Sequence, residues 1–173
     1  MSASTSMVVR PTANERDLEQ ARRLFRSFVA WHRQRHGEDL ALIDAYFDGA
    51  AYDREIEALP GAYAPPDGCL LVAEEAGLVI GCVAFKRFDQ DSCEMKRLFV
   101  APTARSRGAG RALAEELVRR ARDAGYRTMV LDTSIRQQEA ISLYRDLGFT
   151  DIEAYHDVPD EMRDWLVFFR LDL

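Results

Sequence analysis

The chain has 173 residues, 47% hydrophobic and 30% charged, with a formal net charge of −6. That composition excludes a disordered chain and fits one domain with a sizeable core. The acidic balance argues against general nucleic-acid binding, which wants a basic face.

In chain order, MVVRPTA (7–13) predicts a short opening strand ended by Pro11. From Asn14 a helical period runs through Leu18, Ala21, Leu24, Phe25, Phe28 and Val29, placing one apolar stripe inward. A second helix is expected over about 39–59, through Leu42, Ile43, Tyr46, Phe47 and Ile56. The run LPGAYAPPDG (59–68) stops helix and strand alike. CLLVAEEAG and LVIGCVAFKRF then predict a hairpin turning near Glu75, Ala76 and Gly77, and SCEMKRLFV (92–100) a further strand. Ala109, Leu113, Leu117 and Ala121 mark a helix ending near Gly125. TMVLDT reads as a buried strand, QQEAISLYRDLGF as a helix closed by Gly148, and TDIEAYH and WLVFFRLDL as final strands. No repeat or linker interrupts this order, so residues 1–173 read as a single mixed α/β domain, with residues 1–6 expected to be disordered. The early strands should be antiparallel, with a parallel pair around the glycine-led helix.

Cys69, Cys82 and Cys93 form no CxxC pair and read as free thiols in a reducing compartment. His32 and His36 are four apart on a helix, but no acidic partner completes an HExxH pattern, so no metal is expected. The polar start MSASTSM does not resemble a signal peptide, and the apolar stretch GLVIGCVAF (77–85) is too short to span a membrane. A cytoplasmic protein with no membrane partner is expected.

The stretch ARSRGAGRAL (104–113) is the first chemical signal. It lacks the GxxxxGK string of a nucleotide P-loop, and Leu113 stands where a dinucleotide fingerprint needs its third glycine. What remains is Arg105-x-x-Gly108-x-Gly110 opening into an amphipathic helix, whose free N–H groups and dipole favour a phosphate. Arg105, Arg107 and Arg111 add possible charge-assisted contacts. The plainer alternative is a glycine turn with solvated arginines.

EMKRLFVAPTARSRGAGRALAEELVRRARDAGY resembles strand four, pyrophosphate loop and following helix of the GNAT superfamily of N-acetyltransferases. LDTSIRQQEAISLYRDLGF is similar to that family's strand five and next helix, through Ala140, Ile141, Leu143, Tyr144, Gly148 and Phe149. The resemblance is close over roughly 69–173. It implies the acyl-CoA N-acyltransferase fold, a central mixed, mostly antiparallel sheet of about seven strands flanked by helices. It also implies acetyl-CoA as co-substrate. The loop from Arg105 through Ser106, Arg107, Gly108, Ala109 and Gly110 to Arg111 would then cradle the pyrophosphate, and Leu98, Phe99 and Val100 would pair with the pantetheine arm. One departure is Gln137, where the family often carries Asn.

The implied activity is direct acetyl transfer to an amine on a small molecule or peptide. A lysine-type amine is almost fully protonated at pH 7, so a base matters. Glu94 is the candidate, directly or through water, its alternative role being a carboxylate paired with Lys96. Tyr144 is the candidate acid to the sulfur, the alternative being a core tyrosine. A strand-four N–H such as that of Leu98 would meet the oxyanion. Cys93 as an acyl-carrying nucleophile is a rival idea without a neighbouring histidine. Tyr63, Tyr155, His156 and Trp165 are candidate walls of the acceptor site, and Glu55, Glu57 and Asp67 are candidates to draw a cation there, their alternative being solvated surface charges. Two further readings stay open, a non-catalytic acyl-CoA sensor and a longer acyl donor, and a homodimer is compatible with the family.

Overall fold

A computed structural model describes residues 6–173 of the chain. The disorder expected for residues 1–6 falls outside the described residues except at Ser6, which is irregular and exposed. Strand β1 (Val8–Pro11) leads into helix α1 (Glu15–Arg35) and two short helices, α2 (Leu40–Tyr46) and α3 (Gly49–Glu57). Strands β2 (Cys69–Glu75), β3 (Leu78–Arg87) and β4 (Ser92–Val100) follow. Then come α4 (Ala109–Asp123), β5 (Thr128–Ser134), α5 (Gln138–Asp146), β6 (Thr150–Ile152) and β7 (Leu166–Asp172).

The strands form one seven-stranded sheet in the order β1-β2-β3-β4-β5-β7-β6. Among the described residues only β4 and β5 run parallel, as the sequence predicts. Side chains alternate across the sheet: Leu71 and Val83 pack with α4 and α5, while Leu70, Val72 and Cys82 pack with α1, α2 and α3. Helices thus cover both faces, which is why β2 and β3 read as nearly unbroken apolar runs. Each large aliphatic side chain buried this way contributes about 2 kcal/mol.

The parallel pairing is short. Ser92, Cys93 and Glu94 pair with Thr128, Met129 and Val130, and beyond them the two strands separate. At the same place β4 carries a bulge. Cys82 faces Phe99 while Ala84 faces Lys96, so β4 holds one residue more than β3, and Arg97 takes a positive φ of 63°. A bulge of this kind bends a strand and re-aims its side chains. The separation leaves a cleft between β4 and β5 in the middle of the sheet.

Two expectations need correction. The helix predicted over 39–59 is broken at Phe47 and Asp48, because Asp48 leaves the helix to cap α3, its Oδ1 accepting from Ala51 N at 3.5 Å. The strand expected from TDIEAYH pairs only as far as Ile152. Its continuation turns inward, where Tyr155 and His156 find partners on β4 and β5.

Arg10 joins three elements. Its guanidinium takes both oxygens of Asp17 on α1, at 2.7 and 2.9 Å, and Glu74 on β2 at 2.6 Å. Asp17 is almost fully buried and also accepts from Ala13 N at 2.8 Å. Arg10→Met should therefore lower the unfolding free energy at pH 7 by about 3 kcal/mol, since a buried carboxylate loses its partner. The Arg10 hydrogen bonds hold the Asp17 carboxyl below its usual 3.8. The stabilisation is thus present above about pH 4 and lost as pH falls through the lowered value. Urea titrations of both proteins should show the deficit narrowing toward pH 3; a deficit independent of pH would contradict this.

Candidate functional site

The glycine loop follows a single turn of 3-10 helix, Pro102–Ala104. Ser106 and Gly108 take positive φ, 66° and 80°, which turns the chain back before α4 starts at Ala109. Among the described residues no carbonyl accepts from the amides of Ser106 to Arg111; the first bond of α4 runs from Ala112 N to Gly108 O at 3.0 Å. Six consecutive N–H groups thus lie without a backbone partner at the positive end of the helix dipole. A Cβ on Gly110 would lie 3.8 Å from Val100, an ordinary contact, so protein packing does not demand glycine at this position.

The loop opens on a cavity of about 420 Å³ reached by Leu98, Phe99 and Val100 of β4 and by Ser106, Gly108 and Gly110. The three loop arginines part company. Arg105 lines the cavity, its guanidinium 4.0 Å from the centre of the Trp31 ring and its Nε donating to Val100 O at 3.1 Å. Arg107 turns to Glu75, and Arg111 to Asp146 at 2.9 Å, so neither side chain lines the cavity. Arg35 and Trp31 at the end of α1 do line it, and sequence reasoning missed both. Nothing local marks them, because they reach the loop only through the packing of α1 across the sheet.

Where β4 and β5 diverge, a smaller cavity of about 70 Å³ adjoins the first, sharing Phe28, Leu98, Gln137 and Ala140 with it. Tyr144 of α5 lines this junction, with Tyr46, His32 and Trp165. Burial pushes the Tyr144 phenol well above its ordinary value of 10, so it stays protonated. Three buried polar atoms here have no partner among the described residues: His32 Nδ1, Ser134 Oγ and Gln137 Nε2. Buried groups of this kind call for a ligand or water. His32 remains neutral, since burial and His36 bring its pKa down to about 4.

On the far side of the junction lies a third cavity of about 570 Å³, sharing Tyr46, Lys96, Arg97, Asp132 and Leu166 with it. Glu94 lines this third cavity. The Tyr155 hydroxyl donates to Glu94 Oε2 at 2.5 Å, while Lys96 and Lys86 approach at 3.5 and 3.9 Å. Asp132 on β5 accepts from Tyr46 and from His156 Nε2 at 2.6 Å. Burial pushes the Asp132 carboxyl up, but His156, Lys96 and Tyr46 together outweigh it and bring it down to about 2.

Trp165 lines the junction, His156 lines the third cavity, and Tyr155 reaches it through Glu94. Tyr63 lines neither: it is buried and donates to Glu55 at 2.6 Å, while Glu55 holds Arg97. Glu57 and Asp67 pair on the surface with Arg26 and Arg87. Cys93 is buried in the core, its thiol pushed up to about 12 by desolvation, and it lines none of the three cavities.

The Acetyltransferase (GNAT) family matches residues 23–149 of the chain. An uncharacterized N-acetyltransferase of Schizosaccharomyces pombe is 34% identical over 151 residues, which is 86% of this chain and 86% of that protein. An acetyltransferase from Streptococcus agalactiae superposes with a TM-score of 0.72 at 22% identity, covering 96% of this chain and 98% of its own. The PaiA N-acetyltransferase of Thermoplasma acidophilum, solved in complex with coenzyme A, superposes with a TM-score of 0.70 at 18% identity, over 97% and 99% of the two chains.

The Asp132 hydrogen bond raises the pKa of His156 above its usual 6.5. The ion pair is therefore complete below about pH 6.5 and is lost as pH rises through the raised value. In an NMR titration, Asp132→Asn should move the His156 midpoint downward; an unchanged midpoint would mean that the pair does not form.

Proposed function

The chain belongs to the GNAT family of acyl-CoA-dependent N-acyltransferases, and from that premise we propose that it moves an acetyl group from acetyl-CoA directly to an amine within a ternary complex. The observation that carries this reading is the chain of three adjoining cavities. Unpartnered amides stand at one end, Tyr144 in the middle and a carboxylate cluster at the other.

The amides of Ser106 to Arg111 suit a pyrophosphate, because they supply donors and a helix dipole without a side chain at Gly108 or Gly110. Arg105 adds positive charge to the same cavity, and Arg35 lines it while paired with Glu139 at 2.9 Å. The edge of β4 that β5 leaves unpaired suits the amide groups of a pantetheine arm, and Gln137 Nε2 offers one more donor. Acetyl-CoA, when bound as substrate, supplies the thioester whose carbonyl carbon the amine attacks and whose sulfur leaves.

Glu94 takes one proton from the acceptor ammonium, directly or through water, its Oε1 being held only loosely by Lys86. The Leu98 N–H meets the charge that develops on the carbonyl oxygen. Tyr144 gives its proton to the departing sulfur, and the second proton lost by the amine restores it. A thiol near pKa 8.5 is already a fair leaving group, so this donor helps and is not indispensable.

Two substitutions separate binding from chemistry. Gly110→Leu should keep the fold and weaken acetyl-CoA binding at least about tenfold by calorimetry, as its side chain enters the loop cavity. Unchanged affinity would move the pyrophosphate elsewhere. Tyr144→Phe should lower kcat by about 10- to 100-fold with acetyl-CoA affinity retained; equal turnover would remove its role as acid.

A further inference from the structure

The third cavity holds charges of both signs side by side. Lys86, Lys96 and His156 face it beside Glu94 and Asp132. Its two remaining cations are committed elsewhere, Arg87 to Asp67 at 2.5 Å and Arg97 to Glu55 at 2.8 Å. Each carboxylate already has a short donor, Glu94 Oε2 from Tyr155 and Asp132 from Tyr46 and His156. The lysines are not matched in the same way. Lys96 Nζ stays 3.5 Å from Glu94 and 3.7 Å from Asp132, and Lys86 Nζ stays 3.9 Å from Glu94. These separations exceed the roughly 2.7–3.2 Å of a formed hydrogen bond. Each ammonium has three donors, and the Lys96 side chain is only 15% exposed, so little water serves it. Both ammonium groups lean on Glu94, Lys96 also on Asp132, and both keep donors for a further anion.

The rest of the lining is apolar, from Ala45, Phe88, Pro159, Met162 and Leu166. A volume of about 570 Å³ suits a small molecule with an apolar side chain. We propose that the acceptor is a free α-amino acid with an uncharged, apolar side chain, its carboxylate taken by Lys86 and Lys96 and its amino group by Glu94. The inference rests on the acetyl-transfer reading above and names its substrate class. A zwitterion matches both signs of charge in the cavity, and Lys96, which also lines the junction, places the carboxylate near the acetyl-transfer point. A polyamine would bring a second cation beside Lys86 and Lys96, and a peptide N-terminus or lysine side chain brings no α-carboxylate to them. The products are the N-acetyl amino acid, free CoA thiol and one proton: the C–N bond forms, the C–S bond breaks, one ammonium proton reaches solvent through Glu94 and another ends on sulfur.

The test is thiol release from acetyl-CoA with matched acceptors: leucine, methionine and phenylalanine against isoamylamine, 3-(methylthio)propylamine and phenethylamine, with leucinamide and spermidine alongside. The amino acids should show kcat/KM at least about tenfold above the decarboxylated amines and the amide, with the difference in KM. Lys86→Met and Lys96→Met should each cut that preference about tenfold, and Lys86→Arg should retain most of it. Acetyl-CoA titration of every variant shows that the fold and first site survive. Amines acetylated as well as amino acids, or a preference that both methionine variants leave intact, would overturn the proposal while acetyl transfer stands. Failure of the wild-type protein to bind acetyl-CoA would overturn both readings.

Discussion

Three residue pairs hold β4 against β5, and the cleft that carries the proposed function depends on their being so few. A parallel pair that continued past Glu94 and Val130 would close the sheet and leave no passage through it. The bulge at Arg97 accompanies the separation. A positive φ at a non-glycine residue costs on the order of 1–2 kcal/mol, and it persists only where surrounding structure holds it. Here the guanidinium supplies the hold: it binds Glu55 of α3 at 2.8 Å and lies 4.7 Å from the centre of the Tyr52 ring. Charge-assisted hydrogen bonds of that kind offset the strain. Glu55 thereby ties the bulge of β4 to α3.

The cleft's position in the chain gathers the candidate site residues. β4 delivers Glu94 and Lys96 to one side of the bulge and Leu98 to Val100 to the other, so one strand serves both ends of the passage. β5 delivers Asp132 and Ser134, and α5, starting just after it, delivers Gln137 and Tyr144 to the junction. α1 closes the outer wall with Phe28, Trp31 and Arg35. The loop after β6 then folds inward, and Tyr155 and His156 each engage one of the two carboxylates.

Charge shows how little the whole predicts the part. The chain is acidic overall, at −6, yet the cavity beyond the junction holds two lysines whose ammonium groups no carboxylate approaches within a short hydrogen bond. Several of the acids lie on the surface in exposed pairs, such as Glu57 with Arg26 and Asp151 with Arg145. Such pairs are worth little to stability and are screened by salt, whereas partly buried groups around the cleft feel one another strongly.

The sequence by itself determined the order and kind of most elements, because periods of two and 3.6 follow from local backbone geometry. It also determined the glycine loop and the Tyr144 helix, whose spacing along the chain carries the family resemblance. Tertiary structure decided the rest. Phe47 and Asp48 break a helix that propensity would continue, since Phe47 is drawn into the core and Asp48 caps the next helix. TDIEAYH ends its pairing early because Tyr155 and His156 gain partners on distant strands. Arg107 and Arg111 turn to acids far along the chain while Arg105 stacks on Trp31, a choice among three similar side chains that no local pattern encodes. Short-range periodicity is a property of neighbouring residues and can be read from them; which charged group meets which is settled by packing across the sheet, where the partners lie dozens of residues apart.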